Sequence, residues 1–279
     1  MRAHTFYEFF AGGGMARAGL GDGWHCLFAN DFDPKKARIY ADNWGRDTLV
    51  VGDVGSVSPS QLPGHADLVW ASFPCQDLSV AGAGAGLTGS RSGTFWPFWK
   101  LLELVSAEGR KPRTIVLENV CGLLTSHGGR DFAAICEAVA GAGYWFGALV
   151  IDAQHFLPQS RPRLFIVGID QELNIPGRLL GPNPIDIWHP ARLRQAKAAL
   201  STALQNRWLW LVPPKPPRSN RRLGDVIDDE PQGVAWHSPA DTEQLLAMMS
   251  PVNRAKVDLV AGNIRAPMSP AGSPGDCRG

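Results

Sequence analysis

The sequence predicts an α/β protein built on a doubly wound, mostly parallel sheet, and three observations carry that prediction. Short β-branched or aromatic runs alternate with helical patterns through the first two-thirds of the 279 residues, the pattern of a parallel sheet covered by helices. The first run, Thr5–Phe10, leads into Ala11-Gly12-Gly13-Gly14 and a helical pattern, which reads as strand, glycine turn and helix start. Beyond Asp170 the alternation fades into the Pro-rich stretches IPGRLLGPNPIDIWHP and VPPKPPRSN, so a second region of different architecture follows.

The elements are expected in this order. Strands fall near Thr5–Phe10, Cys26–Asn30, Leu49–Val51, Leu68–Ala71, Thr114–Leu117, Trp145–Ile151 and Leu164–Ile169, with helices between them. Asp33-Pro34 opens the helix after the second strand, because Asp accepts from free helical amides and Pro at the first position lacks the amide that would be orphaned. Gly82–Gly93 is rich in Gly, Ser and Ala and reads as a mobile loop. Helical stretches are expected at Ala191–Arg207 and Pro239–Met249. The tail NIRAPMSPAGSPGDCRG has too little apolar content for a packed element and reads as disordered.

Composition excludes several classes. A hydrophobic fraction of 44% and a charged fraction of 19% fit a globular protein rather than a disordered one. No apolar run approaches the length that spans a bilayer, and the start lacks the layout of a signal peptide, so a cytoplasmic location is expected. Five cysteines, odd in number and without a C-x-x-C pair, suggest neither a disulfide framework nor a zinc site. The net charge of +1 carries no overall nucleic-acid signal. Locally, though, Ile187–Arg222 holds no Asp or Glu and carries Arg192, Arg194, Lys197, Arg207, Lys215, Arg218, Arg221 and Arg222, which suits either a phosphate backbone or a solvated basic helix and linker.

Strand ends concentrate the chemistry-bearing residues. Phe10, Gly12 and Gly14 follow the first strand, where glycines let backbone amides approach a ligand. Arg17 stands where the dinucleotide pattern G-x-G-x-x-G/A needs a small residue. Asp31 and Phe32 end the second strand, a carboxylate for ribose hydroxyls and a ring to cover a base. Asp53 and Val54 follow the third. Gly, Asp and Asp at three successive strand ends fit a nucleoside ligand at the sheet edge where open α/β sheets bind ligands. The fourth strand runs into Phe73-Pro74-Cys75-Gln76, placing a thiol on the same edge, where a thiolate can attack an electron-poor ring carbon. Glu118 ends the fifth strand and can bind or protonate the polar edge of a heterocycle. Arg161 and Arg163 precede the last strand and, one residue apart, can reach toward the same side.

In this order and spacing, FFAGGG at 9–14, PCQ at 74–76, ENV at 118–120 and Q-x-R-x-R at 159–163 resemble the motifs of the DNA cytosine-5 methyltransferase family, bacterial type, over roughly Thr5 to Gly168. The resemblance implies a Rossmann-like methyltransferase fold and S-adenosylmethionine as methyl donor. It implies double-stranded DNA as substrate and a place in a restriction-modification system. The target cytosine is flipped out of the duplex, Cys75 attacks its C6, and C5 takes the methyl group. Glu118 contacts N3 and the exocyclic amine, Arg163 the O2, and Arg161 supports the pocket. Phe10, Gly12 and Gly14 line the methionine half of the cofactor, Asp31 the ribose, and Phe32, Asp53 and Val54 the adenine, with Phe73 also against the cofactor.

The resemblance divides the chain into a catalytic and cofactor-binding domain at 1–175, a linker and partial target-recognition region at 176–262, and a tail at 263–279. WHSPADTEQLLAMMSPVNRAKVD is similar to recognition-like sequence in bacterial members. Gly262-Asn263 is a Gly-Asn pair whose surroundings do not match the family's final motif, so the sequence reads as truncated before the last two motifs. On that reading the chain alone has weak or no activity unless a second chain supplies the missing part. Alternatives are an inactive remnant or binding subunit, and a transfer-RNA methyltransferase, against which stands the lack of a Cys-Phe-Thr segment. A nicotinamide dehydrogenase leaves Cys75, Glu118 and Arg163 without a role.

Overall fold

The computed structural model describes residues 3–74, 94–217, 220–228 and 230–264, with side chains to 259. It follows the expected alternation: β1 (His4–Phe9), α1 (Met15–Leu20), β2 (Trp24–Asp31), α2 (Pro34–Trp44), β3 (Leu49–Val51), β4 (Leu68–Ala71), α3 (Phe95–Val105), β5 (Thr114–Val120), α4 (Arg130–Gly141), β6 (Tyr144–Asp152) and β7 (Pro162–Asp170). Asp33 caps α2 as the sequence implies, accepting from the Lys35 amide at 2.8 Å, with Pro34 in the first turn. The fifth strand runs on through Glu118 to Val120, beyond the expected end at Leu117, because Val120 still pairs with Arg163 across an antiparallel ladder. The segment Gly82–Gly93 and the tail beyond Ile264 lie outside the described residues.

The seven strands form one sheet in the order β3-β2-β1-β4-β5-β7-β6. All pairs from β3 to β5 are parallel, while β7 runs antiparallel to both β5 and β6. Strand order therefore reverses between β1 and β4, which opens a crevice beyond their carboxyl ends. Since β7 is inverted, its amino end, with Arg163, lies at the same sheet edge as the carboxyl ends of β4 and β5.

Alternating side chains send apolar groups to both faces. On one face Tyr7, Phe9, Val69, Leu117 and Ile166 pack with Phe95, Phe98 and Trp99 of α3 and Phe132, Ile135 and Val139 of α4. On the other, Phe6, Ala29 and Leu68 pack with Tyr40 and Trp44 of α2. Further along that second face, Leu149 and Val167 meet Trp188 and Leu211; Val116 and Val167 are partners in the ladder, so the two clusters share a side.

The chain divides into two compact units, Met1–Asp225 and Val226–Gly279. Within the first unit, the segment after 175 packs on β6. Strands β8 (Leu180–Gly181) and β9 (Trp210–Leu211) pair, and the expected helix at Ala191–Arg207 is two, α5 (Ala191–Ala198) and α6 (Thr202–Gln205), broken where Ser201 caps the second. Backbone bonds from Phe146 N to Arg207 O and from Leu209 N to Phe146 O cover the otherwise open edge of β6. Gly147 permits this approach: a Cβ there would stand 2.2 Å from the Leu209 carbonyl oxygen. In the second unit, α7 (Pro239–Ala247) opens on a Ser238–Asp241 capping box, and α8 (Pro251–Ile264) is tied to α7 by Arg254–Glu243.

One buried group carries a pH prediction. Glu8 on β1 is 1% exposed and its Oε2 has no partner among the described residues. Burial pushes its pKa up from 4.5 to about 7, against the pull of the Arg17 and Ala16 amides and the Arg17 charge. Between those values the folded state keeps a proton that the unfolded chain releases, so this group's contribution to stability falls as pH rises through the window. Glu8→Gln cannot ionise. Its thermal midpoint is expected to gain on the parent by several degrees at pH 8, on the order expected for a few kcal/mol, and to lose that gain below pH 4.5. A difference independent of pH in thermal melts would sink this assignment.

Candidate active site

A cavity of about 640 Å³ occupies the crevice at the strand reversal. Four successive strand ends build it. Phe10 follows β1; Asn30, Asp31, Phe32 and Asp33 close β2; Gly52, Asp53 and Val54 follow β3; and Ser72 and Pro74 follow β4. Of the residues expected at the cofactor, Phe10, Asp31, Phe32, Asp53 and Val54 line this one space. Phe10 holds a left-handed backbone, φ 56°, without being glycine, a conformation that costs about 1–3 kcal/mol and clusters at functional sites. Phe32 is 73% exposed at the rim, an apolar ring left in solvent beside a cavity.

Asp31 is buried, and its carboxylate organises the loops: Oδ2 accepts from the Gly12 amide and Oδ1 from the Asp33 amide, both at 2.8 Å. Asp53 accepts from the Gly55 amide at 3.0 Å. Three residues expected at the cofactor are not among those that line the cavity: Gly12 reaches it only through its bond to Asp31, and Gly14 and Phe73 are placed differently. Gly14 abuts the indole of Trp44, and Phe73 is buried in the main core, 5.2 Å from the Phe95 ring centroid. Neither lines the cavity; Phe73 faces the core because Val69, Ala71 and Phe73, alternate residues, pack in the same cluster.

Beside the cavity stands the second group of residues. Glu118 and Arg163 sit diagonally across the β5–β7 ladder, with Glu118 Oε1 3.5 Å from Arg163 Nε and both side chains about a quarter exposed. Asn119 donates from Nδ2 to the Phe73 carbonyl at 3.2 Å, which ties the end of β5 to the segment that leads into Cys75. Cys75 itself lies outside the described residues. Arg161 is exposed, and its amide donates to Asp152 Oδ1 at 2.7 Å.

Three residues in this site were not singled out in the sequence. Asn30, 1% exposed, donates from Nδ2 to the carbonyls of Val50 and Gly52, each at 3.0 Å, and so joins the ends of β2 and β3. Asp152 gathers the Gln154 amide, the Ser160 hydroxyl and the Arg161 amide, folding the turn that presents Arg161 and Arg163. Thr94 closes the cavity from the start of α3. An Asx residue at a strand end is a local signal for such turns, and Asp152 carried it.

The basic stretch is partly absorbed by the fold. Arg194 pairs with Asp186 at 2.6 Å, Lys197 donates to Gln205, and Arg207 donates to the Ala140 carbonyl. Arg192 instead is exposed beside Gly128, Gly129 and Arg130 in a depression of about 290 Å³. Arg218 lies outside the described residues. Among the described residues no helix is long and apolar enough to cross a membrane, and no group of three His, Cys, Asp or Glu is placed to hold a metal.

A switch-point crevice lined by acidic strand ends and an exposed ring, next to a glutamate–arginine pair at the same sheet edge, marks a doubly wound α/β protein with a ligand-sized cavity where such folds bind ligands. The chain belongs to the C-5 cytosine-specific DNA methylase family, whose profile matches residues 4–241. It is 33% identical over 186 residues to the type II methyltransferase M.NgoBI of Neisseria gonorrhoeae, covering 66% of this chain and 55% of that protein. To M.HaeII of Haemophilus aegyptius it is 29% identical over 240 residues, 85% of this chain and 69% of that one. Other than M.HaeII, the first curated relatives are covered over about half of their length. Among solved structures, Schizosaccharomyces pombe Dnmt2 methyltransferase matches with a TM-score of 0.51 at 19% identity, over 62% of this chain and 52% of that one. The Entamoeba histolytica methyltransferase EhMeth matches with 0.51 at 18%, over 67% and 62%. These two share the fold. The expected second chain finds no support in these comparisons.

Proposed function

We propose that this protein transfers a methyl group from S-adenosylmethionine to C5 of cytosine in double-stranded DNA, as the modification enzyme of a restriction-modification system. The observation that carries the reading is the continuity of its two sites: the cavity wall ends on Ser72 and Pro74, the residue before Cys75, and Asn119 bonds Phe73 beside Glu118. A donor in the cavity and a base at the Glu118–Arg163 pair would both adjoin the Phe73–Pro74 segment, which Cys75 follows in the sequence.

The residues present fit the cofactor. Phe32 offers a free ring face for a purine, Asp53 and Val54 an adjoining edge, and the Asp31 carboxylate a site for ribose hydroxyls, while Phe10 bounds the end nearest β1. S-adenosylmethionine supplies, when bound, an electrophilic methyl group on sulfur. The cytosine leaves the stack because its ring carbons are unreachable within the duplex. The Cys75 thiolate forms a bond to C6, and the electron pair displaced toward C5 makes that carbon the nucleophile for the methyl group. Glu118 holds N3 and the exocyclic amine as charge shifts onto the ring, and Arg163 holds O2. Loss of the C5 proton to a base then expels the Cys75 thiolate and restores the ring.

The test is incubation of the protein with S-adenosylmethionine labelled in the methyl group, against duplex DNA and transfer RNA, followed by nucleoside analysis. Label in 5-methylcytosine from DNA is expected; label in transfer RNA alone, or in another nucleoside, overturns the reading. On the same proposal Arg192 meets a DNA phosphate. Arg192→Ala is expected to weaken DNA binding and to flatten the dependence of log affinity on log salt by about one, with an unchanged thermal midpoint. An unchanged slope in filter-binding titrations would remove Arg192 from the DNA surface.

A further inference from the structure

We infer that Trp44, the last residue of α2, is a positioning residue that sets the glycine loop for the methyl donor; the inference rests on the reading of the cavity as the donor site. Trp44 does not line the cavity, yet it acts on the glycine loop that joins the cavity residue Phe10 to α1 and bonds the cavity residue Asp31. Its indole Nε1 donates to the Gly13 carbonyl at 3.2 Å, and Asn43 Nδ2 donates to the same oxygen at 3.4 Å. From the cavity side the loop is held by Asp31, which accepts from the Gly12 amide at 2.8 Å. Gly14 N donates to Ala11 O at 2.8 Å and closes the turn. The turn is thus gripped at one amide and one carbonyl, from opposite sides.

The grip matters because three successive glycines leave the peptide planes of the turn free to rotate. Rotation of the Gly13 carbonyl toward the cavity would set a partial negative charge against the carboxylate of the donor's amino-acid end. Two donors outside the cavity hold that oxygen away. The indole is held in its turn. The Arg17 guanidinium lies 5.0 Å from its ring centroid and donates to the Tyr40 hydroxyl at 3.1 Å. A side chain at Gly14, φ 80°, would enter the space Trp44 occupies, with a Cβ 2.2 Å from its Nε1. Glycine at 14 and tryptophan at 44 are therefore a matched pair.

Calorimetric titration with S-adenosylhomocysteine tests this on the whole chain. Trp44→Phe keeps a ring and removes the donor; its affinity is expected to fall about fivefold to tenfold, the scale of one lost hydrogen bond, with the thermal midpoint of the free protein within a few degrees of the parent. Asn43→Ala, at an exposed position, removes the longer bond to the same oxygen and should lose about twofold. Tyr144→Phe serves as the structural control: it removes a buried bond to the Pro112 carbonyl at 2.7 Å, outside the Trp44–Arg17–Tyr40 group, and is expected to lower the midpoint without lowering affinity. Affinity unchanged in Trp44→Phe, or lowered equally in Trp44→Phe and Tyr144→Phe, overturns the positioning role while the donor site stands. Absence of binding in the parent chain overturns the donor site, and the inference with it.

Discussion

Cys75→Ser is expected to abolish methyl transfer to DNA, by about a thousandfold or more, while S-adenosylhomocysteine binds as tightly as before. A serine hydroxyl is scarcely ionised where a thiol is partly thiolate, and it lacks the intrinsic nucleophilicity of sulfur. Among the described residues no cysteine can stand in for Cys75. Cys26 and Cys136 are buried, and burial pushes both thiols up; Cys121 is half-buried and is raised by the same cause despite the Arg163 and Arg192 charges near it. Serine differs from cysteine by one atom, so the cavity that Asp31, Asp53 and Pro74 line is expected to keep its shape. Label counted in DNA and calorimetry on the same preparation separate the two effects. Persistent transfer by the serine variant would rule out covalent catalysis through this residue.

Glu118→Gln is expected to lower kcat by about a hundredfold to a thousandfold, with little change in KM for DNA. The glutamine has the same shape and can still accept one hydrogen bond, but it has no acidic proton and no charge. It therefore loses two functions: holding the polar edge of the base as electrons move into the ring, and pairing with Arg163 at 3.5 Å. The contacts that bind DNA elsewhere are untouched, which is why the loss belongs in kcat. Steady-state rates at saturating DNA and cofactor measure it. A change confined to KM would make Glu118 a binding residue and remove it from the chemical step.

Much of the fold was legible because its signals are local. The strand and helix periods, the Asp33-Pro34 cap and the glycines after β1 each depend on a few neighbouring residues, and each is present in the structure. The candidate site was legible for a related reason: in a doubly wound sheet every parallel strand ends at the same edge, so Phe10, Asp31, Asp53 and Pro74 converge once the strands are parallel. Phe73 was expected at the cofactor and lies in the core instead, because side-chain direction past a strand end is decided by what packs there. Asn30, Asp152 and Trp44 were passed over since their partners, at Val50 and Gly52, at Ser160 and Arg161, and at Gly13, are remote in sequence.

By itself, then, the sequence determined the element types, the parallel architecture, the family motifs and the order in which they meet the sheet edge, all properties of short segments. Only the tertiary structure decided that β7 inserts antiparallel between β5 and β6 and so brings Arg163 to Glu118. It alone decided that the segment after 175 covers the β6 edge, and that Arg194, Lys197 and Arg207 serve the fold while Arg192 faces solvent. The physical reason is common to all of these. A charge or an amide takes whichever partner the packed chain brings within about 3 Å, and that partner is chosen by strand order and burial rather than by its neighbours in sequence.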